Sequence, residues 1–129
     1  MSFTIAIIDD NQSMRRCIFS YLEKIPGVVL KTFRDPKLFL RDIRDSIIPD
    51  LIVTDILMPG LNGLEMLKMI RELHCMVPAI IFSGYNWERN DIDVIIPQNH
   101  INAIINKGDG LEQVKKEVLR SIKKQRVLS

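Results

Sequence analysis

Leu51-Ile-Val-Thr breaks off on Asp55 and is followed by Met58-Pro59 and a turn containing Gly63. The run is short, rich in β-branched residues and does not alternate, so it is expected to form a strand covered on both faces. A strand of that kind belongs to a parallel sheet with helices packed on either side. Asp55 then stands at the strand's carboxyl end, the edge where open parallel sheets present their ligand-binding residues. A carboxylate in that place is more a chemical feature than a solubilising one, and the rest of the chain can be asked what it brings there.

The remainder repeats the same unit. Phe3 to Ile8 is an apolar strand ending on Asp9-Asp10, and Asn11 or Gln12 opens a helix with Met14, Cys17, Ile18, Tyr21, Leu22 and Ile25 on one face. Pro26-Gly27 stops it, and Val28 to Phe33 is a second strand. Asp35-Pro36 starts a second helix, with a capping acid before a first-turn proline and Phe39, Leu40, Ile43 and Ile47 inward. After the Asp55 strand, a third helix is expected from Asn62-Gly63 to about His74, with Met66, Leu67, Ile70 and Leu73 inward. Ala79 to Phe82 is a fourth strand closing on Ser83-Gly84, and a short helix is expected around Glu88 to Ile95, limited by Pro97. Ile101 to Ile105 is a fifth strand ending at Asn106-Lys107. The last helix is expected to open on a capping box of Asp109 with Glu112 and to bury Leu111, Val114, Val118 and Ile122.

Strands and helices in strict alternation imply an α/β, doubly wound, five-stranded parallel sheet of the flavodoxin-like (βα)5 kind, in the order 2-1-3-4-5. A length of 129 residues suits one domain over residues 1–129. No apolar run approaches the ~20 residues that span a bilayer. The N-terminus has no basic region and runs into two acids, so it does not read as a signal peptide, and the expected location is cytoplasmic. A net charge of +2 is too small to argue for direct nucleic-acid binding, and the lysines of the last helix read as a solvated face. Cys17 and Cys75 fit no metal or redox spacing and are expected to be ordinary thiols. His74 reads as the end of the third helix, His100 as a loop residue, and Met66 and Met69 as core or partner-facing groups.

In the order 2-1-3-4-5, strands 1, 3 and 4 lie side by side, and the strand ends bring Asp9, Asp10, Asp55, Ser83 and Lys107 to one rim. Three carboxylates in a small cleft repel one another, and at least one is expected to take up a proton unless a cation intervenes. A hard, oxygen-only site with open positions suits Mg²⁺. Lys107 adds a compact positive charge and Ser83 a hydroxyl donor. Such a rim is equipped for phosphoryl transfer to a carboxylate. The metal and Lys107 would bear charge on the phosphoryl oxygens, Ser83 would donate to another, and Asp55 would attack.

Ile7-Ile8-Asp9-Asp10, Asp55-Ile-Leu-Met58-Pro59 with Gly63, Phe82-Ser83-Gly84 and Lys107 follow one another on consecutive strand ends. With these pieces in this order, the chain resembles a response-regulator receiver domain of two-component signalling along essentially its whole length. The resemblance implies that Asp55 is the phospho-acceptor, charged from a histidine kinase or a phosphotransfer protein. It also implies that Asp10, Asp55 and the backbone carbonyl of Leu57 hold Mg²⁺, with Asp9 acting through water, and that Ser83 and Lys107 hold the phosphoryl group. A monomer or weak dimer that switches the face of residues 85–107 for a downstream partner is the expected behaviour. Two positions depart from the family pattern. Ile104 stands where an aromatic usually turns inward, and Gly108 where a proline usually follows the lysine, while Tyr85 and Trp87 lie nearby as substitute aromatics.

Three other functions set limits on this expectation. A phosphorylation-independent adaptor would fit Ile104 and Gly108 but leaves the acidic rim without a purpose. An aspartate-nucleophile phosphatase of the haloacid-dehalogenase type wants a second acid two residues after the first, where this chain has Leu57. A flavodoxin would offer hydroxyls and glycines to a phosphate where this chain has Asp9-Asp10.

Overall fold

A computed structural model describes residues 2–84 and 100–128 of the chain. Five strands, β1 (Phe3–Ile8), β2 (Val28–Phe33), β3 (Leu51–Thr54), β4 (Ala79–Ser83) and β5 (Ile101–Asn106), form one sheet in the order β2-β1-β3-β4-β5. Every neighbouring pair is parallel. The expected α/β sheet and its order are therefore present. Strands β4 and β5 each run one residue further than their apolar stretches, which brings Ser83 and Asn106 into register as a pair.

The helices are α1 (Gln12–Leu22), α2 (Pro36–Arg44), α3 (Gly63–Glu72) and α4 (Leu111–Leu128), with a 3-10 turn at Lys107–Asp109 before α4. The period of two along β1 divides the core into two layers. Ala6 and Ile8 pack with Phe39, Leu40, Met66 and Leu67 of α2 and α3. Ile5 and Ile7 pack with Ile18 and Leu22 of α1 and with Val114 and Val118 of α4. Strand β3 is buried along its whole length, as a central parallel strand must be. Among the described residues, no helix is long and apolar enough to cross a membrane.

Helix starts follow their capping chemistry. Asn11 accepts from the Met14 amide, Asp35 from the Lys37 amide ahead of Pro36, and Asn62 forms a reciprocal capping box with Glu65. Helix ends are where the sequence expectations need correction. Helix α2 stops at Arg44, so Ile47 lies beyond it and is exposed, and α3 stops at Glu72, which leaves Leu73 exposed as its cap. His74 lies past that cap in the left-handed region, φ 63°, outside the helix it was expected to close. Cys17 is exposed, because Ile18 and Leu22 fill the buried face of α1, while Cys75 is buried in the α2–α3 layer. The capping box of Asp109 with Glu112 does not form. Asp109 belongs to the 3-10 turn, and Gly110 stands before Leu111, while Glu112 acts on α1, where hydrogen bonding and its negative charge push the Tyr21 hydroxyl pKa up. The helix expected at Glu88 to Ile95 lies outside the described residues.

Candidate functional site

The site is assembled at the carboxyl edge of β1, β3, β4 and β5. Parallel pairing of Ile8 with Thr54 puts Asp9 and Asp55, the next residue of each strand, side by side. The Asp55 amide donates to the Ile8 carbonyl at 3.0 Å, and the Asp9 amide donates to the Phe33 carbonyl at 3.1 Å. Both acids are thus held by the sheet's own ladder as it ends. Asp9 and Asp55 are buried, Asp10 is exposed, and one carboxylate oxygen from each of the three lies within 4.8 Å of the others.

Lys107 reaches this cluster from the turn after β5. Its Nζ donates to Asp55 Oδ2 at 2.8 Å and to Asp9 Oδ2 at 3.2 Å. Burial alone would lower the pKa of this ammonium, but the hydrogen bond to Asp55 and the charges of Asp9 and Asp55 outweigh it and hold the group above its ordinary value. The Asp9 carboxyl is shifted up by burial. The Asn11 amide and Lys107 oppose that rise, and the negative charge of Asp55 adds to it. Burial thus favours the protonated form of Asp9 relative to a solvated carboxylate. Ser83, the last residue of β4, is buried beside Asn106, the residue before Lys107.

Backbone contacts aim the Asp55 side chain. Its Oδ1 accepts from the Ile56 amide at 2.7 Å, which leaves Oδ2 turned to Lys107. The Thr54 hydroxyl donates to the Asp55 carbonyl oxygen at 2.8 Å. Gly63 lies directly behind that carbonyl and donates its own amide to Ile56 at 2.9 Å. A Cβ at position 63 would collide with the Asp55 carbonyl oxygen, so the start of α3 can close on the loop only because residue 63 has no side chain.

The five side chains expected at one rim thus lie at neighbouring strand ends, and Asp9, Asp10, Asp55 and Lys107 form one cluster. Leu57 is exposed on the loop just after Asp55. Ile104 is half buried against the α2–α3 layer, and the Gly108 amide donates to the Asn106 side chain at 2.8 Å. Tyr85 and Trp87 lie outside the described residues. Three residues escaped the sequence reading: Thr54, Arg15, whose Nη1 donates to the Asp9 carbonyl at 2.7 Å, and Gly63 in its role behind Asp55. Gly63 is legible as a turn signal and as part of the Asp55 motif but not as the residue packed behind Asp55, and nothing in the spacing of Thr54 or Arg15 announces the contact it makes.

Chemically, three clustered carboxylates offer oxygen donors alone, and one oxygen of each lies within 4.8 Å of the others, so all three can face a single ion. The donor set therefore fits a hard divalent cation such as Mg²⁺.

The response regulator receiver domain family matches residues 5–119. Over 80 residues the chain is 33% identical to the protein-glutamate methylesterase/protein-glutamine glutaminase of Treponema pallidum (strain Nichols). That stretch covers 62% of this chain and 20% of the relative, so the similarity reaches about a fifth of the relative's length. The response regulator domain of Thermotoga maritima CheB superposes with a TM-score of 0.78 at 26% identity, covering 96% of each chain. A CheY-like response regulator receiver domain protein from Methanospirillum hungatei JF-1 gives a TM-score of 0.84 over the whole of both chains, and at 20% identity it shows the shared fold.

Proposed function

The chain belongs to the response regulator receiver family, a signalling module, and on that premise we propose that it is a cytoplasmic, Mg²⁺-dependent switch, phosphorylated on Asp55 by a histidine kinase or phosphotransfer protein. The observation that carries this reading is the buried Asp55 carboxylate, fixed through the Ile56 amide and met at 2.8 Å by the Lys107 ammonium, at the edge of an acid cluster.

In the proposed reaction a carboxylate oxygen of Asp55 attacks the phosphorus of a phosphohistidine. A P–O bond forms, the P–N bond breaks, and the imidazole leaves with the electron pair of that bond. Water later attacks the acyl phosphate and returns Asp55 and inorganic phosphate. Little covalent chemistry is asked of the protein beyond positioning and charge. The fixed Asp55 carboxylate supplies the first, and Lys107 supplies a positive charge for the phosphoryl oxygens as they approach. Ser83 is suited to donate its hydroxyl to one of those oxygens.

Asp9, Asp10 and Asp55, with the Leu57 carbonyl, are the groups that would hold Mg²⁺. Bound there, the ion supplies positive charge for the carboxylates and for the transferred phosphoryl oxygens. Lys107 already bridges Asp9 and Asp55, so charge added at Asp55 alters the contacts of the turn that carries it. That turn joins β5 to α4 and begins at Lys107, the end of the stretch of residues 85–107 that in this reading reports phosphorylation to a partner.

Incubation with acetyl phosphate and Mg²⁺, followed by intact mass measurement, tests the proposal. One added phosphoryl group is expected on the wild-type chain. No addition is expected without Mg²⁺ or on Asp55→Asn, and equal behaviour of wild type and variant would refute the assignment.

A further inference from the structure

Asp9 has a partner on every polar group. Its amide donates to Phe33, its carboxylate oxygens accept from Asn11 and Lys107, and its carbonyl accepts from Arg15. Asp10 differs. Its carboxylate is exposed and takes no hydrogen bond or ion pair from any described residue, yet one of its oxygens lies within 4.8 Å of those of Asp9 and Asp55. Among the described residues, nothing holds that side chain in the cluster except the backbone that leads to it.

The Asp9 carbonyl and the Asp10 amide share one planar peptide unit, so a group that fixes the oxygen also fixes the direction in which Asp10 leaves the strand. Arg15 is that group, with Nη1 2.7 Å from the oxygen. It reaches back from the first turn of α1, whose start is locked by the Asn11 cap on Met14 and by the Arg15 amide on the Asn11 carbonyl at 3.0 Å. A planar guanidinium on a capped helix turn is a rigid donor. Among the described residues it makes no other side-chain hydrogen bond or ion pair, and its neighbour Arg16 is exposed and makes no such contact.

From this geometry we infer that Arg15 is a positioning residue for the metal pocket: it clamps the Asp9–Asp10 peptide and thereby holds the Asp10 carboxylate where a divalent cation can use it. The inference rests on the acid cluster being the Mg²⁺ site. Groups that orient metal ligands from behind typically change affinity by about 10–100-fold when removed.

The test is Mg²⁺ affinity by calorimetric titration of the wild-type chain, Arg15→Met, Arg15→Lys and Arg16→Met, with the urea midpoint of each in EDTA. Arg15→Met keeps the aliphatic stem and loses the donor. It is expected to bind Mg²⁺ at least about tenfold more weakly at an unchanged midpoint, and Arg15→Lys, which keeps a donor, to recover most of that loss. Arg16→Met removes the same charge from the same helix turn and is expected to bind like wild type. Equal affinity of Arg15→Met and a Mg²⁺-binding wild type overturns the inference alone. So does a parallel change in the two methionine variants, which would reduce the effect to net charge. So does an Arg15→Met chain unfolded in EDTA, which would make the residue structural. A wild-type chain that does not bind Mg²⁺ overturns the inference together with the reading of the pocket.

Discussion

Replacing Gly63 with alanine adds one methyl group at the most crowded point behind the acceptor. The new Cβ would meet the Asp55 carbonyl oxygen, the Asp55 carbonyl carbon and the Ile56 Cα, all of them backbone, so no rotamer change relieves the contact. Ordinary carbon–oxygen contact would be restored only if helix α3 and the Asp55 loop part by ~1 Å or more. Overpacking of this kind costs about 1–3 kcal/mol, with larger values where the backbone itself has to move. Alanine's greater helix propensity returns at most about 1 kcal/mol, and less at a first helical position such as this one. A net loss of roughly 1–2 kcal/mol is therefore expected, read as a lower urea midpoint at unchanged slope. Gly84→Ala is the control, since a Cβ there meets nothing within 4 Å. The functional effect should exceed the structural one. A displacement of ~1 Å at a reacting group costs on the order of 100-fold in rate, so acetyl phosphate labelling of Gly63→Ala should slow by about that factor under conditions where the chain is folded. A variant with the wild-type midpoint and the wild-type labelling rate would refute the steric reasoning. A slow but fully stable variant would leave the reach to Asp55 standing and remove the packing cost.

Other perturbations bear on the charges. Magnesium at a hundred times its dissociation constant should add about 2.7 kcal/mol to stability and raise the melting temperature by roughly 10 °C, and Asp10→Asn should lose most of that increment. Lys107→Met leaves Asp9 and Asp55 without their cation, so in EDTA it should lower the urea midpoint at neutral pH, with a smaller loss in acid where Asp9 can protonate. Because the folded-state pKa of Lys107 is raised above 10.5, its stabilising contribution is complete below that pH and is lost as pH climbs through the folded value. The Lys107→Met chain should lack this alkaline loss in a pH series of urea melts. The Asp9 pKa is raised above 3.8, so its ionisation costs stability as pH rises from there through the folded value. Asp9→Asn should therefore be at least as stable as wild type in EDTA at neutral pH while binding Mg²⁺ more weakly, and a markedly lower midpoint for the variant would count against burial as the cause of the shift.

The parts of this molecule that sequence makes legible are those set by short-range pattern. Strands β1 and β3 are central and stop where their apolar runs meet Asp9 and Asp55, whereas β2, a half-exposed edge strand carrying Lys31 and Thr32, is marked out by Pro26-Gly27 before it and Asp35-Pro36 after it. The sheet order follows from the alternation of elements, and the order in turn brings Asp9, Asp55, Ser83 and Lys107 to one edge. Helix termini were less legible. Leu73 and Ile47 fit the apolar period but lie beyond the last helical turn, where the chain has already turned away from the core. Glu112 shows the same limit. Its capping pattern with Asp109 gives way to the 3-10 turn at Lys107–Asp109, which leaves Gly110 rather than Asp109 before the helix. Arg15 and Gly63 act through tertiary contacts with Asp9 and Asp55, so their work becomes visible only once β1, β3 and the starts of α1 and α3 are in place.

The central claim is that Asp55 receives the phosphoryl group. Borohydride reduces an aspartyl phosphate to homoserine and leaves free aspartate untouched, so peptide mapping after treatment with acetyl phosphate, Mg²⁺ and borohydride reads the acceptor by position. Homoserine at residue 55, dependent on Mg²⁺ and absent from residues 9 and 10, is the predicted result. Homoserine at either of the other acids, or at none of the three, would contradict the account.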